Sequence, residues 1–213
     1  MTSPTDVVIA SAARTPVGAF NGALSTLPAS ELGTAAIRAA LGRAGVSPNE
    51  GSEVVMGQIL TAGTGQNPAR QAAVGAGIPF ERTALVLNQL CGSGLRAVAA
   101  GYQAIRSGDA DIVVAGGLES MSRAPHCAYL RDGQKIGSLE MIDSMLTDGL
   151  LDVFHGYHMG NTAENVAAQF GISREMQDAF AAGSQQKAEA AHKAGRFNEA
   201  VSYTHLRAHE TKA

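Results

Sequence analysis

The 213 residues include two cysteines, Cys91 and Cys127. Two thiols make no disulfide framework, so the expected compartment is reducing and cytoplasmic in type. Positive charge is also short, with 16 Lys and Arg against 19 Asp and Glu. The net charge of −3 carries no basic footprint for nucleic acid. No run of about 18 apolar residues occurs, which excludes a conventional membrane-spanning helix. The opening "MTSPTDVVIASAARTP" has no basic stretch leading into an apolar run and cleavage site, which argues against a signal peptide. No internal repeat is visible. The expected partners therefore include neither nucleic acid nor membrane.

What remains is an ordinary globular composition, 45% hydrophobic and 16% charged, with enough length to bury a core. Strand and helix patterns alternate. "DVVIASA" (6–12), "SEVVMGQIL" (52–60), "TALVLN" (83–88) and "DIVVAGG" (111–117) read as strands. Between them lie helical patterns. Residues 30–45 have Ser30 as expected cap and Gly45 as stop, and residues 67–77 have Asn67 as cap and Pro68 in the first turn. "GSGLRAVAAGYQAIRSG" forms the third. This alternation predicts an α/β fold, a mainly parallel sheet with helices on its faces. The third helix has almost no polar face, so it is expected to be covered on one side by the sheet and on the other by a second domain or a partner chain.

After Glu119 the texture changes. Residues 120–160 are rich in Gly, Met and polar residues and lack clean periodicity, as functional irregular segments often do. Two helices are expected beyond them. One spans 161–171 with Asn161 and Glu164 in capping-box relation, and an amphipathic one spans 173–197 with Ser173 as cap. The tail from 200 to 213 continues no pattern. His205 and His209 are four apart with Glu210 adjacent, a spacing that could hold a metal on a helix face. Their order fits no known zinc-binding run, and a frayed or non-native tail is the plainer expectation.

Cys91 sits where the third strand meets the third helix. It could be a packed thiol, since cysteine is a small, commonly buried hydrophobe. It could belong to a dinucleotide-binding turn, since Gly92, Gly94 and Ala97 satisfy G-x-G-x-x-A. Such a turn wants an acidic residue ending the next strand, whereas Asp111 begins its strand and Glu119 lies farther on. Or it could be a nucleophile. A helix N-terminus offers unpaired N–H groups and a positive dipole end that favour a thiolate. Gly92 and Gly94 allow a tight turn and close approach of a substrate.

The stretch "NQLCGSGLRAVAAGYQAIRSGDADIVVAGGLESMS" resembles the active-cysteine signature of thiolases. The segments "VVIASAARTPVGAFNGALS", "GQNPARQAAVGAGIP", "SRAPHCAYLRDGQKIG", "DGLLDVFHGYHMGNTAENVAAQFG" and "GRFNEA" are similar to the short-chain branch, the acetyl-CoA acetyltransferases. The likeness runs over about residues 6–200.

The resemblance implies a fold of two similar halves with an inserted irregular and helical loop domain. Residues 1–119 match the first half-domain and 120–199 much of the loop domain, with 200–213 set apart as an atypical tail. It implies that Cys91 takes an acyl group as a thioester, with its backbone N–H in an oxyanion site. The reaction would join two acetyl-CoA into acetoacetyl-CoA and CoA, or run in reverse. His158, Met159 and Leu150 match positions lining the substrate and CoA pocket, where each could equally be a packed core or loop residue. No cofactor is implied beyond the coenzyme A thioesters used as substrates. A homo-oligomer, dimer or tetramer, is implied too. His126 and Cys127 fall in the segment that forms the tetramerisation loop, and Cys127 itself reads best as a plain packed thiol. "GQNPARQ" matches a stretch near the dimer interface, where its polar residues are expected to be structural.

The departures matter equally. The family's second half carries an activating histidine, a second cysteine and an oxyanion-site asparagine, in stretches absent from this sequence. His155, His158 and His192 do not match that base. The chain is therefore expected to be a fragment, inactive by itself. Other readings are a ketoacyl-synthase-like condensing enzyme, against which the thiolase-like loop segment argues, a nicotinamide-binding oxidoreductase, or a non-catalytic interaction module.

Overall fold

The computed structural model describes residues 6–131 and 133–201. Its body comprises helix α1 (Ala29–Ala44), strand β1 (Glu53–Gly57), helix α2 (Pro68–Gly75), strand β2 (Thr83–Leu87), helix α3 (Ser93–Ser107) and strand β3 (Val113–Gly117). The three strands form a parallel sheet in the order β2-β1-β3, with Glu53 opposite both Thr83 and Val113. The chain moves one way from β1 to β2 and back across β1 to β3. Right-handed crossovers then put α2 and α3 on opposite faces.

The side chains agree, because alternate strand residues point to opposite faces. Val54 and Met56 join the buried cluster built with Ile37 and Leu41 of α1 and Ala69, Ala72 and Ala73 of α2. Ala84, Val86 and Val114 pack against it. On the other face, Gly101 of α3 lies directly on Val113 and Ala115. Small residues bring the layers close. A β-carbon at Gly75 would lie 2.6 Å from Oγ1 of Thr34, and one at Gly33 would lie 2.7 Å from Leu118.

Asn67 caps α2 as expected, its side chain accepting the Arg70 N–H at 3.0 Å, and Pro68 opens the helix. Gly45 stops α1 in the left-handed region at φ 66°. The expected Ser30 cap is not observed. The cap residue is Pro28, and Ser30 sits inside the first turn, where its carbonyl accepts from Thr34 Oγ1.

The expected strand over residues 6–12 is also corrected. The segment forms no strand, and Val8 and Ile9 are 75% and 80% exposed. A strand needs a neighbour to pair with, and this segment instead runs beside the end of α1. There Ser11 Oγ donates to the Ala40 carbonyl and Arg43 donates to that of Ala12.

The irregular region contains two minimal antiparallel ribbons. β4 (His126–Cys127) pairs with β5 (Ile142–Asp143), and β6 (Leu151–Asp152) pairs with β7 (Tyr157–His158). A π-helical turn, Leu146–Leu150, leads into β6. Helices α4 (Met159–Phe170) and α5 (Arg174–Lys193) follow. α4 starts earlier than its sequence predicts, capped by His158 rather than Asn161. α5 is capped by Ser173 as expected, but stops at Lys193 instead of 197. Beyond it the chain returns to the N-terminal segment. Arg14 pairs with Glu199 and stacks over Phe197, the Val201 N–H donates to the Arg14 carbonyl, and Arg43 donates to the Glu199 carbonyl. His205, His209 and Glu210 lie outside the described residues. Among the described residues no helix is long and apolar enough to cross a membrane, and no cluster of three metal-type ligands occurs.

Candidate active site

The turn between β2 and α3 is built by short local bonds. Asn88 Oδ1 accepts the Leu90 N–H at 2.9 Å. Leu90 occupies the left-handed region at φ 48°, a conformation that a branched non-glycine residue rarely adopts. The Gly92 and Ser93 amides donate back to the carbonyls of Gln89 and Leu90 at 3.1 and 3.0 Å. Ser93 is buried, and its hydroxyl accepts the Gln89 N–H at 2.8 Å and donates to the Leu90 carbonyl at 2.6 Å. Cys91 rides on the crest of this turn as an exposed free thiol. Of the readings open for Cys91, a packed structural thiol does not fit this exposure. The turn points Cys91 outward and leaves burial to Ser93, Ala97 and Gly101, one stripe of α3.

Gly92 is the cap residue of α3, and no side chain bonds to the helix start there. The Gly92 and Ser93 amides turn back to the Gln89 and Leu90 carbonyls, and the positive end of the helix dipole lies beside Cys91. The floor under this helix start has almost no side chains. A β-carbon at Gly57 would fall 2.5 Å from Ser93, and Gly94 lies against Gly117. These glycines let α3 begin directly over the carboxyl ends of β1 and β3. Gly94 thus serves helix-to-sheet packing, and Asp111 precedes β3 rather than ending it, which leaves a dinucleotide without its ribose partner.

α3 is not covered all round. Leu95 is 78% exposed, and Val98 and Tyr102 are exposed with it. The described residues thus leave this side to the second domain or partner chain that the sequence leads one to expect.

The other expected site residues gather on the β6–β7 ribbon. Leu150 is half-buried at the end of the π turn. His158 pairs across the ribbon with Leu151, and Met159 opens α4. His158 Nδ1 accepts the Gly160 N–H at 2.9 Å. A ring nitrogen that accepts carries no proton, so the neutral ring bears its proton on Nε2. The π turn that leads into the ribbon approaches the body at Gly149, 3.7 Å from Leu60 measured from the β-carbon position. No hydrogen bond between described residues joins Cys91 to the ribbon. Nearby, Asp152 accepts from the His155 ring at 2.7 Å and from the Phe154 and His155 amides. The His155 hydrogen bond, then the Phe154 amide, holds its carboxyl below the ordinary value of 3.8.

Cys127 is half-buried in β4, and His126 stands 3.9 Å from Asp143. A cavity of about 170 Å³ opens between Arg14, Thr15, Gly33, Gly117 and Glu119, and Cys91 is not on its walls. Sequence reasoning gives no reason to single out Ser93, since a serine at a helix start is commonplace. Its one signal is its place three residues after Leu90, within reach of that carbonyl.

An exposed thiol at a strand-to-helix turn, over the carboxyl ends of parallel strands, places the molecule among α/β proteins that present a reactive-type side chain at such a turn. The chain belongs to the thiolase family, for the pattern of the thiolase N-terminal domain matches residues 7–211. It is 63% identical over 201 residues to an acetyl-CoA acetyltransferase of Rhizobium meliloti (strain 1021), covering 94% of this chain and 51% of that protein. It is 62% identical over 201 residues to an acetyl-CoA acetyltransferase of Shinella zoogloeoides, with the same coverage. A cytosolic acetyl-CoA acetyltransferase of Rattus norvegicus is 56% identical over 200 residues, 94% of this chain and 50% of that protein. The chain spans about half the length of these relatives.

Proposed function

We propose that this chain is the nucleophile-bearing portion of a short-chain acyl-CoA acyltransferase. The exposure of Cys91 at the uncapped head of α3 is the observation that carries this reading. The Cys91 thiolate attacks the carbonyl carbon of acetyl-CoA, the C–S bond to CoA breaks, and CoA leaves with a proton. This is covalent catalysis in two half-reactions. The Cys91 amide, at the positive end of α3, stabilises the oxyanion of the tetrahedral intermediate. A second acetyl-CoA, deprotonated at Cα, attacks the acetyl group on Cys91. Acetoacetyl-CoA forms and the thiol is released. Run backwards, the same steps cleave acetoacetyl-CoA.

Residues 1–119 would be the first of two similar halves, and 120–199 the loop domain. His158, Met159 and Leu150 would line the pantetheine path, with the Nε2–H of His158 as the available donor. The second half would cover the exposed stripe of Leu95, Val98 and Tyr102 and supply the base that takes the thiol proton. Oligomerisation through the segment around His126, and a reducing, cytoplasmic-type compartment, belong to the same reading.

Mass spectrometry of a full-length form incubated with acetyl-CoA tests the chemistry. An acetyl group on Cys91 is expected, and one elsewhere, or none, overturns it. The 213-residue chain alone is expected to show no acetoacetyl-CoA thiolysis, and turnover above background would contradict the assignment of the base to the other half.

A further inference from the structure

We propose that Ser93 is a positioning residue for Cys91, acting by holding Leu90 in its left-handed conformation. This rests on Cys91 being the acylated group. Three observations lead to it. Leu90, immediately before the cysteine, is one of three non-glycine residues with positive φ among those described, the others being Asn21 and Asn67. Asparagine tolerates that region and leucine does so poorly, so something in the turn must hold Leu90 there. The Ser93 hydroxyl bridges the turn around Leu90, from the residue before it to its own carbonyl. Its Oγ accepts the N–H of Gln89 at 2.8 Å and donates to the carbonyl of Leu90 at 2.6 Å. Finally, Ser93 is itself immobilised. It is 4% exposed, and the absence of a side chain at Gly57 leaves just enough room for its backbone and β-carbon.

The consequence is mechanical. One hydroxyl ties the Gln89 N–H to the Leu90 carbonyl, which fixes the two-residue step that leads into Cys91. Without that hydroxyl Leu90 relaxes toward negative φ, and the thiol leaves the axis of the α3 amides. Asn88 bonds only the Leu90 N–H and the Ser93 amide only the Leu90 carbonyl, so neither reaches back to Gln89 as the hydroxyl does.

The probe is p-nitrophenyl acetate on the whole 213-residue chain, read by peptide mass spectrometry at Cys91, with Cys127 as internal reference. In the step measured, the Cys91 sulfur bonds the acetyl carbon, the aryl ester C–O bond breaks, p-nitrophenolate leaves, and the thiol proton passes to solvent. Ser93→Ala is expected to slow acetylation of Cys91 about tenfold, the effect of losing control over one unfavourable backbone conformation, with Cys127 unchanged. Leu90→Gly, which adopts positive φ without cost, is expected to restore the double variant to within about threefold of wild type. An unchanged rate in Ser93→Ala, an equal loss at both cysteines, or no rescue by Leu90→Gly overturns the proposal. If Ser93→Ala does not fold, Leu90→Gly is compared with Leu90→Gly/Ser93→Ala. Equal rates support the proposal, and a tenfold gap overturns it. The acyl-CoA reading fails separately, if a full-length form is acetylated at Cys91 by the aryl ester but not by acetyl-CoA.

Discussion

The body, residues 29–118, and the stretch from 120 to 201 are made in different ways. In the body, alanines and glycines let two helical layers close on a parallel sheet, and Ile37, Val54 and Val55 are almost fully enclosed. Beyond residue 120, no residue of α4 or α5 is buried, and Phe154, Phe170 and Phe180 stand mostly in solvent. α5 holds its shape through the Ser173 cap and exposed i,i+4 pairs, Arg174 with Asp178 and Glu189 with Lys193. Each such pair contributes only about 0.3–0.5 kcal/mol. Secondary structure of the same kind can thus rest on burial or on local chemistry, and the two should respond differently to mutation.

Ile37→Ala offers the largest contrast. It removes a side chain only 2% exposed and is expected to cost about 3 kcal/mol, read as a lower denaturant midpoint. Amide exchange in α5 should stay unchanged, and equal loss in both regions would show that they unfold as one unit. Gly57→Ala comes next, at about 2 kcal/mol, because the new β-carbon must push Ser93 away. Its signature would be distortion at the head of α3, seen as an altered alkylation rate of Cys91 relative to Cys127. Ser173→Ala reverses the pattern. About 1 kcal/mol of local helix stability is lost, so amides in the first turn of α5 should exchange faster while the denaturant midpoint of the body stays put.

The smallest effect concerns pH. Asp152 has its carboxyl lowered from 3.8 by the His155 hydrogen bond and then by the Phe154 amide. Folding therefore favours the carboxylate, and its contribution is complete above 3.8 and lost as pH falls below that value. Nuclear magnetic resonance should find the Phe154 and His155 amides still protected just below pH 3.8 and released at lower pH. Release already well above 3.8 would remove Asp152 as the cause.

The same division governs what could be read from the sequence. β1, β2, β3 and the helices between them were legible because burial imposes a period on the residues. The Asn67 and Ser173 caps and the Gly45 stop were legible because each acts through its own backbone neighbours. Residues 6–12 misled, since strand character in Val7, Val8 and Ile9 says nothing about whether a partner is present. His158 took the cap that Asn161 seemed suited for, because the β6–β7 pairing sets where α4 begins, and pairing of two residues leaves no periodic trace. At the candidate site, Cys91 and its glycines stood out, whereas Ser93 did not. Its significance depends on the left-handed Leu90, which only coordinates reveal.

The pairing of Arg14 with Glu199 joins positions 185 residues apart. Closing a loop of that length costs about 5 kcal/mol of chain entropy, whereas an exposed ion pair contributes at most about 1 kcal/mol. The clip therefore cannot start folding. It closes after the body has formed, so Arg14, though made early on the ribosome, waits for almost the whole described chain before it meets its partner.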